Sequence, residues 1–101
     1  MHAKIYNSTW WVSCTDSIEI KSAVEIVLLT SGFTLINFID HDFLPQGYTA
    51  LWLLSESHAA IHTFPEESKT YIELSSCVES LLINFELMFD HIIQRNQWQR
   101  Y

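Results

Sequence analysis

Residues 53–66 read LLSESHAAIHTFPE, and this stretch divides the most apolar part of the chain into two segments. The run ALWLL at 50–54 is typical of a buried strand, but it is followed by the polar letters SESH rather than by a glycine turn. A second apolar segment, AAIHT at 59–63, comes next and ends at Pro65, which cannot continue a strand. We therefore predict two neighbouring strands joined by a polar segment that carries serine, glutamate and histidine side chains.

The rest of the chain predicts a small α+β domain. Apolar periodicity and turn residues indicate the order β-α-β-β-β-β-α, with strands in 3–14, 33–39, 48–54, 59–63 and 70–77 and helices in 17–31 and 79–94. Asp16 or Ser17 is placed to cap the first helix, and Gly32 to end it. Short connections favour a two-layer sandwich, in which an antiparallel sheet carries both helices on one face. The 101 residues form one domain, 1–101.

Composition excludes several classes of function. A net charge of −7 argues against a nucleic-acid partner, since phosphates require basic patches. No apolar run is long enough to cross a bilayer, and the segment after Met1 does not resemble a signal peptide. Cys14 and Cys77 lack the spacing of a metal site, so we predict no metal, reduced thiols and a cytoplasmic location. The fourteen aromatic residues are too many for so small a core, which indicates that some line an interface or a ligand site.

Residue chemistry alone does not establish a catalytic site. The serines of SESH, His62 and Cys77 each have an ordinary structural interpretation, and no carboxylate is clearly placed to orient the histidine. The combined string is more specific. SESH, IHTFPE at 61–66 and YIELSSC at 71–77, together with HDFLPQG at 41–47, resemble the self-processing core of the bacterial and archaeal S-adenosylmethionine decarboxylase proenzymes.

This resemblance implies a chain that cuts itself. Ser57 would attack the carbonyl of Glu56, the resulting ester would eliminate to dehydroalanine, and hydrolysis would leave a pyruvoyl group at position 57. The products would be segments 1–56 and 57–101. A pyruvoyl carbonyl forms a Schiff base with the substrate amine and acts as an electron sink. No external cofactor is then expected.

The resemblance also implies roles for five further residues. His62 would accept a proton during processing, within reach of Ser57, and Ser55 would assist the same step. Cys77 would protonate the substrate carbon after decarboxylation. Phe43 would stack on adenine and Glu66 would accept the ribose hydroxyls. A turn or core aromatic remains the alternative for Phe43, and a solvated loop acid the alternative for Glu66.

The sequence leaves three functions open. The resemblance implies a decarboxylase of S-adenosylmethionine in polyamine (spermidine) biosynthesis, acting as a homodimer of cleaved protomers. The altered first strand, NSTWWVSC at 7–14, and Val78 in place of the usual glycine after the cysteine leave room for L-arginine or L-ornithine as the substrate. The third possibility is an inactive regulatory paralogue. Detection of decarboxylated product and of self-cleavage separates the three.

Overall fold

The computed structural model describes residues 2–101. The elements follow one another as β1 (Tyr6–Val12), α1 (Ser17–Ser31), β2 (Leu35–Asp42), β3 (Tyr48–Leu54), β4 (Ser57–Phe64), a 3₁₀ turn (Pro65–Glu67), β5 (Lys69–Ser76) and α2 (Glu79–Arg95). The predicted order β-α-β-β-β-β-α is confirmed. Within the described residues, no helix is both long and apolar enough to span a membrane.

The five strands form one antiparallel sheet in the spatial order β1-β5-β4-β3-β2. This order makes β4 the central strand, with β3 and β5 as its hydrogen-bonded neighbours. Leu54 pairs with Ser57, so β3 and β4 form a hairpin whose turn contains only Ser55 and Glu56. The polar letters SESH therefore span a tight turn and the beginning of the central strand.

Both helices cover the same face of the sheet. Trp10 on β1 and Ala50 on β3 belong to one row of paired residues across the sheet, and Trp52 shares the face of Ala50 because it lies two residues further on. The Trp10 ring packs against Phe85 of α2, with 5.4 Å between ring centroids. The Trp52 indole N–H donates to Glu25 of α1 at 3.1 Å. The prediction of both helices on one face is confirmed, and we call the other side of the sheet the open face.

Local signals begin and end α1 where the sequence predicts. The Asp16 carboxylate accepts the backbone N–H of Glu19 at 2.9 Å, which satisfies one of the unpaired donors at the helix start. Gly32 ends the helix with φ of +108°, a conformation that L side chains rarely adopt. Helix α2 buries residues that recur at spacings of three and four, namely Leu82, Phe85, Phe89 and Ile93.

The strands differ from prediction mainly in length. The first is shorter, Tyr6–Val12 rather than 3–14, and β2 extends to Asp42 instead of ending at Ile39. Strand β4 begins at Ser57 rather than Ala59, because Ser57 and His58 pair with both neighbouring strands despite their polarity. Hydrogen-bonded partners on both sides thus override the weak strand preference of these two residues.

We expect the aromatic packing of α2 to dominate its contribution to stability. Phe89 is fully buried, whereas Leu87 on the same helix is 69% exposed. In a Ser57→Ala background, which lacks the hydroxyl to which the resemblance assigns self-cleavage, Phe89→Ala should lower the free energy of unfolding by about 3–5 kcal/mol. Leu87→Ala should change it by less than about 0.5 kcal/mol. Urea denaturation at one protein concentration measures both, and equal losses for the two variants would contradict this account of the core.

Candidate active site

The turn between β3 and β4 is held by the chain that follows α1. The Ser55 backbone N–H donates to the Thr34 carbonyl at 2.9 Å, and the Thr34 N–H donates to Glu56 Oε1 at 3.0 Å. Each turn residue is therefore bonded to the same residue of a distant segment. These bonds hold the Glu56–Ser57 peptide in one place although it lies at the end of the sheet.

The carbonyl of Glu56 is held from the other side by Cys77. The Cys77 backbone N–H donates to this carbonyl oxygen at 2.9 Å, because Cys77 directly follows β5, the strand next to β4. A donor at this position polarises the carbonyl and can stabilise negative charge on its oxygen during attack at carbon. Cys77 is thus close to the peptide that the sequence predicts to be cut, and its side chain is exposed.

Ser57 adopts a backbone conformation that is rare for a residue with a side chain. Its φ is +155°, while neither Ser55 nor Glu56 has positive φ. Two-residue hairpins normally match the strand twist through positive φ at the turn residues themselves. In this hairpin the positive φ lies instead on Ser57, the first residue of β4. A residue held in such a rare backbone conformation costs on the order of 1–3 kcal/mol. The strain lies on the residue whose peptide nitrogen would be released by cleavage.

A cleft of about 320 Å³ lies at the far end of β4 and contains three of the predicted site residues, Phe43, His62 and Glu66. The Phe43 N–H donates to the Gly47 carbonyl at 2.8 Å, which closes the loop that carries the aromatic ring. The Gln46 amide donates to Glu66 Oε2 at 3.3 Å. The structure therefore brings together the residues to which the resemblance assigns adenine and ribose binding.

Thr49, a residue that the sequence reasoning missed, also lies in this cleft. Its hydroxyl contacts His62 Nδ1 at 3.0 Å, across the β3–β4 pair in which the two residues are direct partners. The hairpin register could have identified this residue, because a two-residue turn at 55–56 pairs position 49 with position 62. The contact fixes the orientation of the imidazole on the open face.

The expectation that His62 lies within reach of Ser57 is wrong for a single chain. The two residues lie five positions apart on β4, which corresponds to about 17 Å along an extended strand. Ser57 Oγ instead contacts the Nδ1 atom of His58 at 3.3 Å. The predicted residues therefore fall into two groups: the turn site, which contains Ser55, Glu56, Ser57 and Cys77, and the cleft, which contains Phe43, His62 and Glu66.

The open face beside these two groups exposes apolar residues of β2 and β3. Ile39 is 68% exposed and Leu53 is 53% exposed, and both line a shallow depression of about 480 Å³ that extends to His58. Exposed leucine and isoleucine on a sheet face are typical of a surface that pairs with another protein surface. Among residues 2–101, no cluster of three or more histidine, cysteine or acidic side chains could hold a metal ion.

Several known proteins are similar in sequence to this chain. A family model described as S-adenosylmethionine decarboxylase matches residues 12–100. The S-adenosylmethionine decarboxylase proenzyme of Prochlorococcus marinus (strain MIT 9211) is 38% identical over 66 residues, which are 65% of this chain and 54% of that protein. The proenzyme of Thermotoga petrophila is 41% identical over 67 residues, or 65% of this chain and 52% of that protein. The chain thus spans about half the length of these curated relatives.

A solved structure extends the similarity to almost the whole fold. The crystal structure of the adenosylmethionine decarboxylase from Aquifex aeolicus matches with a TM-score of 0.68, covering 98% of this chain and 91% of that chain. The sequences are 23% identical, so this likeness shows a shared fold.

The two cysteines should differ sharply in reactivity. Burial raises the pKa of Cys14 to about 11, whereas Cys77 is exposed beside the turn. At pH 8 only about one Cys14 thiol in a thousand is then ionised, and the thiolate is the reactive form. We expect iodoacetamide to alkylate Cys77 in the folded protein and Cys14 only after unfolding, as read by mass spectrometry of the digested chain.

The control for this measurement is Cys77→Ser, which should remove the fast reaction and leave Cys14 protected. Equal labelling rates at the two cysteines in the folded protein would contradict the placement of Cys14 in the core.

Proposed function

Because this chain belongs to the S-adenosylmethionine decarboxylase family, we propose that it cuts itself between Glu56 and Ser57 and then decarboxylates S-adenosylmethionine. The reaction would release CO₂ and yield the aminopropyl donor for polyamine (spermidine) synthesis. The single observation that carries this proposal is that the Glu56–Ser57 peptide is both hydrogen-bonded at its carbonyl and strained at Ser57. Its carbonyl accepts the Cys77 N–H at 2.9 Å, and its nitrogen belongs to a residue with φ of +155°.

These two features support self-cleavage for a physical reason. Attack of Ser57 Oγ on the Glu56 carbonyl carbon converts an amide into an ester and develops negative charge on the carbonyl oxygen. The Cys77 N–H already points at that oxygen, so little reorganisation is needed as the charge forms. Breaking the bond to the Ser57 nitrogen frees this residue from its rare backbone conformation, so the strain favours the ester over the amide.

The position of Ser57 also fits a residue that becomes a prosthetic group. It begins the central strand, its side chain is half-buried, and the carbonyl that precedes it accepts the N–H of the exposed Cys77. When present, a pyruvoyl group supplies the electron sink for loss of CO₂. Cys77 would then return a proton to the substrate carbon. Ser55, which is exposed in the turn, would assist the processing step.

The cleft supports S-adenosylmethionine as the substrate. Phe43 offers an aromatic face for adenine, and Glu66 offers carboxylate oxygens to the ribose hydroxyls. The net charge of −7 suits a ligand that carries sulfonium and ammonium charges.

We propose further that the complete site forms between two copies of this chain. The turn site and the cleft lie at opposite ends of β4, about 17 Å apart, so one chain cannot present both to one small molecule. The open face beside them exposes apolar residues of β2 and β3. In such a dimer the open faces of the two copies pack together, and the two-fold axis lies between them, perpendicular to the strands. This axis makes the two β4 strands antiparallel, so the cleft of one copy lies opposite the turn site of the other. His62 and Thr49 would then act on Ser57 of the second copy.

Intact mass and substrate assays test the proposed reaction. Wild-type protein should separate into fragments 1–56 and 57–101, with pyruvoyl at the start of the second, because the turn activates this peptide. It should release CO₂ from S-adenosylmethionine but not from L-arginine or L-ornithine. Ser57→Ala should remain a single chain and release no CO₂.

Two outcomes would overturn the proposal. A wild-type chain that remains intact would remove the self-processing step. A cleaved chain that releases CO₂ from arginine or ornithine, and none from S-adenosylmethionine, would replace the substrate.

Subunit complementation tests the shared site. Ser57→Ala disables the turn site and Glu66→Ala disables the cleft, so a dimer that contains one of each retains one intact site. Random pairing of the two chains should therefore restore roughly a quarter of the wild-type rate of CO₂ release. Each variant is also assayed alone. Co-expressed variants that are no more active than the sum of the separate ones would show that each chain uses its own residues.

A further inference from the structure

His58 and Glu73, which have no role in the proposed mechanism so far, extend a chain of polar contacts from Ser57 Oγ. Ser57 Oγ lies 3.3 Å from His58 Nδ1, and His58 Nε2 lies 3.8 Å from Glu73 Oε2. We propose that His58 is the base that removes the proton from Ser57 Oγ in the first step of self-cleavage, and that Glu73 is a positioning residue for the His58 ring. This inference rests on the proposed cleavage between Glu56 and Ser57.

The pairing of β4 with β5 produces this arrangement. His58 pairs with Ser75, so Glu73 is its diagonal neighbour two residues further along β5 and lies on the same face. Both side chains lie on the open face, where His58 is 54% exposed and Glu73 is 38% exposed. A pair with this exposure contributes little to stability. Its geometry, however, directs one ring nitrogen to the serine hydroxyl and the other to a carboxylate.

This geometry suits the tautomer that a base requires. With the proton on Nε2, which faces Glu73, the lone pair of Nδ1 faces Ser57 Oγ, and Glu73 also stabilises the ring after it becomes positively charged. The imidazole contacts the atom that reacts, so His58 would be a catalytic residue. Glu73 acts only through His58.

Every bond and proton that changes in this step belongs to the chain itself. The Oγ proton moves to His58 Nδ1 while Oγ bonds to the Glu56 carbonyl carbon, and the carbonyl oxygen carries negative charge against the Cys77 N–H. The bond from that carbon to the Ser57 nitrogen then breaks, and His58 returns its proton to the departing nitrogen. An amide has become an ester with a free amine. No oxidant, reductant or second reactant is consumed.

His62 does not compete for this role within the chain, since its ring contacts Thr49 at the far end of β4. The later elimination needs a second proton acceptor, for the hydrogen on the Ser57 Cα atom, and this is the step left to His62.

Other titratable groups near His58 do not displace Glu73 as the partner of its ring. The Glu56 carboxylate is bonded to the Thr34 N–H, and Tyr71, beside Glu73, has its pKa raised by burial and by that carboxylate.

Hydroxylamine distinguishes the two proton transfers, because it cleaves esters and leaves ordinary amides intact. His58→Gln should slow the appearance of fragment 57–101 by about 10²–10⁴-fold and should leave a chain that hydroxylamine does not cleave at position 57. The matched control is His62→Gln, the same substitution at the other end of the strand. That chain should still form the ester and be cleaved by hydroxylamine at position 57.

Two further measurements exclude a purely structural role. Free imidazole should accelerate cleavage of His58→Ala and leave Ser57→Ala unchanged, since an added base replaces a missing base but does not repair a misfolded turn. Glu73→Gln should slow cleavage of the otherwise wild-type chain, yet have no further effect in the His58→Ala background, because it acts through the ring.

The outcomes separate this inference from the proposed function. A wild-type chain that never cleaves would overturn both. A wild-type chain that cleaves, with His58→Gln cleaving at the same rate or accumulating a hydroxylamine-sensitive ester, would overturn the role of His58 and leave the proposed function intact. Absence of imidazole rescue in a folded His58→Ala chain would also overturn it.

Discussion

Side chains of a β-strand alternate between the two faces of a sheet, and this constraint on β4 governs how the site can be assembled. Ser57 begins the strand and His62 lies five positions further on, which is about 17 Å along an extended strand. His58 and His62 are separated by an even number and share the open face. One strand therefore carries the proposed cleavage point at its beginning and part of the cleft towards its end.

The position of β4 at the centre of the sheet makes the proposed cleavage point rigid. The Glu56–Ser57 peptide is bonded on one side through Thr34, before β2, and on the other through Cys77, after β5. A flexible loop would let the peptide relax into an ordinary conformation. The clamped two-residue turn instead concentrates the strain on Ser57. The same bonds that hold the strain also present the carbonyl to a hydrogen-bond donor, so structural support and activation come from one set of contacts.

Local signals explain why so much of the fold could be predicted. The Asp16 cap, the Gly32 stop and the apolar spacing of α2 act over a few residues, and the structure contains each of them where the sequence predicts it. Strand ends were predicted less well. Ser57 and His58 lack the apolar character of a strand, and they join β4 only because β3 and β5 supply hydrogen-bond partners on both sides. That support comes from segments distant in sequence, so no local pattern reports it.

The sequence by itself determined the order of elements, the two-layer α+β class and, through SESH, IHTFPE and YIELSSC, the family. These depend on residue type and short spacing. Only the tertiary structure decided which of the predicted residues meet: Phe43 and Glu66 share a cleft with His62, while Cys77 lies at the Glu56 carbonyl. It also identified Thr49, His58 and Glu73, whose contacts depend on strand register. Register is set by turn length and by pairing between distant segments, and a linear pattern of residues does not contain it until the sheet has formed.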